Sequence, residues 1–422
     1  MEVGLEAGHG RLSCDSNNLS YQIFSALENN FLFGYDWEKE RLPGGKVRIL
    51  SIDGGGMHGI VAGRTLAYLE EALQKKTGDS EARIADFFDV VIGTGVGGLI
   101  AAMLFANDGS GRPLCRAEEV WRLLAEEGSR MFKPTSGGIF AKFRRKGANF
   151  SGKSMERVLK RLFSAKDGRS LTLKDTLKPI LIPCYDLSSA APFLFSRADA
   201  LETDNFDFRL WEICRAAAAV PGFFEPVQLS SVDGQTICTA IDAGLVMSNP
   251  TAAAITHVVH HKQEFPLVVG VEDLLVLSVG TGQFDRAYNY EKVRRWGADQ
   301  WAKPVITIVG DGISDTVDHA ISMAFGQSRR NYVRIQSNGF TDKCVGDTDD
   351  PSEANVKMLL NFADSVLKQK GMESVPFGGK RKLSLSNAER LEWFADELVC
   401  EHRSRLSRPI PTVVLKQATR SH

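Results

Sequence analysis

The 422-residue chain contains no apolar run long enough to span a bilayer. Its most apolar stretches, such as DLLVLSVG at 273–280, fall far short of the ~20 residues a membrane helix needs. It has no excess of charge of one sign: 51 Lys+Arg against 52 Asp+Glu leave a net charge of −1, which removes the basic field that generic nucleic-acid binding requires. Cysteine is sparse. The seven cysteines are an odd number with no close pair, so neither a disulfide framework nor a cysteine zinc site is expected. The opening stretch MEVGLEAGHGRLSCDSNN is acidic and polar and lacks the apolar core of a secretory signal. Together these absences predict a reduced, cytoplasmic protein. What is present is ordinary: 43% hydrophobic and 24% charged residues exclude wholesale disorder and a coiled-coil rod.

The order of patterns along the chain is more informative. Leu19, Ile23, Phe24, Leu27 and Phe31 stand at helical spacing, predicting a helix within an N-terminal segment, 1–45. After a Pro-Gly-Gly turn at 43–45, KVRILSI reads as a strand that stops at Asp53 and three glycines, and a helix follows through IVAGRTLAYLEEALQKK. The unit repeats at once: FFDVVIG is a strand, TGVGG a turn, LIAAMLFA a helix. Later strands are expected at 179–186, 235–242 and 273–280, with helices around 208–219 and 250–261. Strands alternating with helices predict an α/β fold, a mostly parallel sheet covered on both faces, with chemistry at the carboxyl ends of the strands. Beyond 285 the strand signals thin, and 286–422 reads as mainly helical. Asp350-Pro351-Ser352-Glu353 suggests an N-cap with Pro at N1, and Ser386-Asn387-Ala388-Glu389 a capping box. PFGGKRKLSLS between these two helices reads as an exposed linker.

Several motifs point elsewhere and are weaker. Two G-x-G-x-x-G segments, at 54–59 and 93–98, lack the acidic residue that a ribose contact requires after a second strand, so no dinucleotide is expected. Residues 147–154 match the P-loop pattern G-x-x-x-x-G-K-S, a remote nucleotide-binding alternative, but AKFRRK puts four positive charges where a buried strand should precede it. His257, His260 and His261 have zinc-compatible spacing on a predicted helix without an intervening Glu, and read as a solvated face rather than a metal site. The basic run from Lys142 to Lys146, continuing through Lys153, Arg157, Lys160 and Arg161, is suited to anionic lipid head groups.

What remains is two glycine-rich turns at strand ends and an aspartate at a third. Gly54, Gly55 and Gly56 open a helix, so their amides are unpaired donors beside a positive dipole end and suit a developing oxyanion. The turn Gly93-Thr94-Gly95-Val96-Gly97 has the flanking glycines of a G-x-S-x-G nucleophile elbow, with Gly95 at the centre where the serine should be. Asp242 ends a strand, where a carboxylate suits general-base work; its simpler role is to cap the following turn. No other G-x-S-x-G occurs. Thr94 points away from an elbow apex, and Ser278 and Thr281 have no assigned base.

This arrangement resembles the patatin-like phospholipases, lipid acyl hydrolases with a Ser–Asp dyad, a D-G-G-G-x-R-G oxyanion loop, a G-x-S-x-G elbow and a later D-G-[GA]. Here these read DGGGMHG at 53–59, GTGVG at 93–97 and DAG at 242–244, within a region of about 46–285. The resemblance implies a three-layer α/β fold, no cofactor or metal, and membrane glycerolipids, phospholipid or galactolipid, as substrates met by peripheral contact. Three positions depart from it: His58 replaces Arg, Ala243 replaces Gly, and Gly95 replaces the nucleophile. With the segment ending FLFGY, they are similar to a plant branch whose elbow reads G-x-G-x-G. Two functions follow: an acyl hydrolase in which Asp242 activates water directly, and a lipid-binding pseudoenzyme of the same fold.

Overall fold

The computed structural model describes residues 45–135, 148–284, 288–340, 349–374, 380–408 and 411–414, which belong to one compact unit from Gly45 onward. The helix expected within 1–45 and the basic run Lys142–Lys146 lie outside the described residues. The strand β1 (Val47–Ile52) is buried at every position, as a strand covered on both faces must be. It leads through the glycine turn into α1 (Gly59–Thr77); β2 (Val90–Gly93) leads through the second turn into α2 (Val96–Phe105). The helices α3 (Ala117–Met131) and α4 (Gly152–Leu162) precede β3 (Ile180–Asp186) and β4 (Ala191–Ser196). Then come α5 (Leu210–Ala217), β5 (Val227–Ser230), β6 (Ile237–Asp242), α6 (Thr251–His260) and β7 (Leu274–Val279).

These strands and β8 (Tyr332–Ile335) form an eight-stranded sheet in the order β5-β6-β3-β2-β1-β7-β8, with β4 beside β3. Neighbours from β3 through β8 are parallel, whereas β4, β5 and β6 pair antiparallel. Alternate residues of β1 divide the core. Leu50 and Ile52 join a large apolar cluster with α1 and α2; Val47 and Ile49 join a second one with Ala254 and Val258 of α6. The expected α/β architecture with helices on both faces is therefore present.

Past 285 the described residues carry strands as well as helices. They include β8, which extends the sheet through pairs such as Leu277 with Val333. A four-residue strand holding Arg334 breaks the apolar run by which sequence patterns reveal buried strands. The expected linker is in part a strand too: β10 (Lys380–Ser386) pairs with β9 (Lys370–Ser374), exposed and charged enough to resemble a loop. The long helix α7 (Ala298–Ala324) precedes β8, and α8 (Glu353–Lys368) and α9 (Asn387–Leu406) pack on α1. The cap of α8 is Ser352, whose hydroxyl accepts from the Asn355 amide at 3.2 Å; Asp350, expected as the cap, instead accepts from the Ser352 amide. At α9 the capping box forms as read, with Ser386 accepting from the Glu389 amide and the Glu389 carboxylate from the Ser386 amide.

Candidate active site

Three strands deliver the candidate residues to one edge of the sheet. β1 runs into Asp53–Gly56, β2 into Gly93–Gly97, and β6 ends on Asp242. The meeting of the last two follows from how β3 divides one of its edges. β2 is short and on β3 reaches only Ile180 and Leu181, while β4 occupies the opposite edge from Leu181 to Asp186. The rest of the first edge is taken by β6, running the other way, with Asp242 opposite Cys184. Its carboxyl end therefore closes on the carboxyl end of β2.

At the apex Gly95 has φ +56° and ψ −125°, a conformation that a residue with a side chain holds only under strain. Its neighbours are glycine for lack of room: a Cβ on Gly93 would strike the Gly97 carbonyl, and one on Gly97 the backbone oxygens of Ile52 and Asp53. Gly95 itself has room. A Cβ there would lie 3.4 Å from Asp242 Oδ2, 3.5 Å from Oδ1 and 3.6 Å from the Gly54 Cα, all ordinary contacts. A hydroxyl carried on that Cβ would be within hydrogen-bonding reach of the carboxylate.

Asp242 is half-buried, and its Oδ1 accepts the Gly244 amide at 2.9 Å, so the capping role read from the sequence is real. Among the described residues no cation pairs with it. Burial lifts its carboxyl to about 7, opposed by the Gly244 amide alone. The amides of Gly54, Gly55 and Gly56 find no acceptor among the described residues. Gly55, at φ +149°, is pressed against Thr281, whose hydroxyl donates to the Gly54 carbonyl.

Two residues that hold this loop were not apparent in the sequence, Thr281 and Arg334. Arg334 on β8 grips Asp53 with both terminal nitrogens, Nη1 to Oδ1 at 2.9 Å and Nη2 to Oδ2 at 2.5 Å. It also donates to Ser278 at 2.7 Å and Ser314 at 3.1 Å. Burial pulls its proton affinity down, but the Asp53 charge outweighs this and holds it above the ordinary arginine range. A signal existed: an arginine inside a short apolar run is buried only with a partner.

The other candidates are occupied elsewhere. Thr94 donates to the Met247 carbonyl at 2.8 Å, and Ser278 is committed to Arg334 and Thr251. Of the histidine trio, His257 is buried and stacks on His261 at 3.8 Å, whereas His260 is exposed, so the three do not converge. The P-loop-like stretch is described from Ala148; at Gly152 the Arg215 guanidinium and Glu225 carboxylate fill the space beside the start of α4. Arg161 pairs with Glu127 at 2.7 Å, and Lys160 lies 4.1 Å over the Trp211 ring, so part of the basic stretch is already engaged.

The gathered residues face a cavity of about 300 Å³ whose other walls include Leu99, Leu124, Met131, Phe224 and Ile306. His58 also lines it. A second cavity of about 350 Å³, bounded by Phe325, Met372 and Trp393, contains neither Gly95 nor Asp242. An apolar pocket with a few convergent polar groups is the usual form of a small-molecule site.

A model of the patatin-like phospholipase family matches residues 50–255, which include both turns and Asp242. The chain is 53% identical to Patatin-like protein 6 of Arabidopsis thaliana, over 96% of this chain and 88% of that protein. The chain belongs to the patatin-like phospholipase family. It is also 54% identical to Patatin-like protein 7 of the same plant, over 96% of this chain and 85% of that one. It is 46% identical to the Arabidopsis protein named "Probable inactive patatin-like protein 9", over 94% and 96%. Arg334 lies outside the matched patatin-like region, though its partner Asp53 lies within it.

Proposed function

We propose that this patatin-like chain is a lipid acyl hydrolase of the phospholipase A or galactolipase type, with Asp242 activating water directly. One observation carries this reading: a carboxylate with no cation beside it among the described residues, its protonation lifted to about 7, faces the vacant apex of the elbow beside three amides that find no acceptor among those residues. A carboxylate held away from water without a cation costs stability, and the Gly244 cap engages only Oδ1.

In this reading a water occupies the room beside Gly95, and Asp242 Oδ2 takes its proton as the oxygen attacks the ester carbonyl carbon. The oxyanion of the tetrahedral intermediate is held by the amides of Gly54, Gly55 and Gly56. Collapse breaks the ester C–O bond, and Asp242 returns the proton to the departing alkoxide, leaving a fatty acid and a lysolipid. No acyl-enzyme forms. Losing the serine of a serine hydrolase costs about 10⁶ in kcat, while ~10³–10⁴ over water survives from oxyanion hole and binding, so turnover is slow but real. The substrate is a membrane glycerolipid met by peripheral contact in the cytoplasm; among the described residues no helix is long and apolar enough to cross a membrane. The second reading, a lipid-binding protein without turnover, is favoured by Gly95 itself and by the printed name of the probable inactive relative.

The test is fatty-acid release from phosphatidylcholine and galactolipid vesicles by the purified protein, alongside Asp242→Ala and Gly95→Ser. The expectation is slow release by the parent chain, loss in Asp242→Ala, and a rise of roughly 100-fold or more with fluorophosphonate labelling in Gly95→Ser. Labelling of the parent chain at the elbow, or full activity in Asp242→Ala, overturns the water mechanism. Silence from the parent chain with a gain in Gly95→Ser identifies the lipid-binding protein.

A further inference from the structure

The two halves of α7 have different surroundings. The second half packs into the core through Ile321, but the first carries a stretch, PVITIVG at 304–310, without a charged side chain. There Val305, Ile306, Ile308 and Val309 are 45%, 58%, 44% and 40% exposed. Their spacing gathers them toward one face, and a contiguous aliphatic patch open to water marks an interaction surface.

Its borders indicate the partner. On one side stand Tyr288, Tyr290, Trp296 and Trp301, with Trp296 edge-on to Tyr288 at 5.8 Å and to Trp301 at 5.1 Å. Tyr290 is 70% exposed. Lys292, Arg294 and Arg295 are exposed among these rings; Arg294 pairs with Glu291, and Lys292 and Arg295 have no carboxylate partner among the described residues. Tyrosine and tryptophan mixed with cations beside an aliphatic strip is the composition of a segment lying at the boundary between head groups and acyl chains. The other border is the candidate active site. Ile306, Thr307 and Gly310 line its cavity, and the Ser248 hydroxyl, shortly after Asp242, donates to the Gly310 carbonyl at 2.7 Å.

We infer that this face docks on a lipid bilayer. Lys292 and Arg295 meet anionic head groups, Val305, Ile308 and Val309 enter the acyl boundary, and a lipid chain passes Ile306 into the cavity. The passage of a chain rests on the lipid-hydrolase reading above; the docking does not.

The experiment uses the full chain, its V305S/I308S/V309S variant and a K292E/R295E variant, with phosphatidylcholine–phosphatidylserine vesicles. The parent chain should co-sediment, with tryptophan emission quenched by brominated acyl chains. The triple serine variant should partition about ten-fold less or weaker still, since each buried methylene counts in the transfer. Its Tm and its turnover of a monomeric short-chain ester should not change. The charge variant should lose binding to the mixed vesicles and little to pure phosphatidylcholine. Undiminished vesicle binding by the triple variant overturns the inference, as does a dimer-to-monomer change without altered vesicle binding, which assigns the face to a second copy of the chain. Vesicle binding without fatty-acid release leaves the docking intact and removes the hydrolase; ester turnover without vesicle binding does the reverse.

Discussion

At Gly95 the backbone keeps the positive-φ turn of an elbow, while the side chain that such a turn presents is missing. Beside it, Asp242 has its proton affinity lifted by burial to about 7. In the unfolded chain it titrates near the ordinary carboxylate value, so the folded state binds the proton more tightly. Its contribution to stability is full below about pH 4 and is lost as the pH rises through about 7. Asp242→Asn, neutral throughout, should therefore melt near the parent chain at about pH 4 and higher than it at pH 8, while losing hydrolysis. Equal melting temperatures at pH 8 would remove the case for an unpaired buried carboxylate. Hydrolysis by the parent chain should rise with pH through the same range, because only the ionised form accepts a proton. At this scale the sequence was readable wherever chemistry is local: glycines at strand ends and an aspartate before a turn show themselves by spacing. The partners of Thr281 and Arg334 were not readable, because these two residues reach Gly54 and Asp53 from 227 and 281 residues away.

At the scale of elements, the legible ones carry long periodic patterns or caps. α1 was found from its place after a strand and glycine turn, α9 from its capping box, and β1, β3 and β7 from continuous apolar runs. β4, β8 and the β9–β10 hairpin are short, edge-placed or charged, and their identity comes from a partner strand rather than from their own residues. β8 matters most, since it brings Arg334 to the oxyanion loop. Arg334→Met leaves Asp53 buried without its cation, for which a loss of about 3–5 kcal/mol is expected in denaturant unfolding. Adding Asp53→Asn should restore much of that stability. No restoration in the double variant would mean that Arg334 stabilises through packing rather than through the pair. The loop it holds supplies the candidate amides, so Arg334→Lys, which keeps the charge but not the fork, should retain more stability than Arg334→Met and still slow any turnover.

At the scale of the described molecule, α9 clasps the first two strands of the sheet at their amino ends through Arg405. Arg405 on α9 donates to both oxygens of Asp89, at 2.6 and 2.8 Å, and to the Lys46 carbonyl at 2.6 Å, while Arg48 takes the same carboxylate from the other side. Burial pushes Asp89 upward, but the two guanidiniums outweigh it and hold it well below the usual carboxylate range. The stability it contributes is present above about pH 4 and fades as the pH falls below that. Arg405→Ala should destabilise the protein at neutral pH by roughly 2–4 kcal/mol. In urea unfolding across an acid series, the gap from the parent chain should narrow only below about pH 4. A gap unchanged down to strongly acid pH would assign the effect to lost helix packing. The divided edge of β3 has a consequence of another kind. Since two backbone ladders on a single strand fix the distance between elbow and aspartate, the receptacle does not depend on which side chain occupies the apex. In the proposed hydrolase, reactivity is therefore the adjustable part: a substitution at position 95 raises or lowers turnover, and the cavity stays as it was.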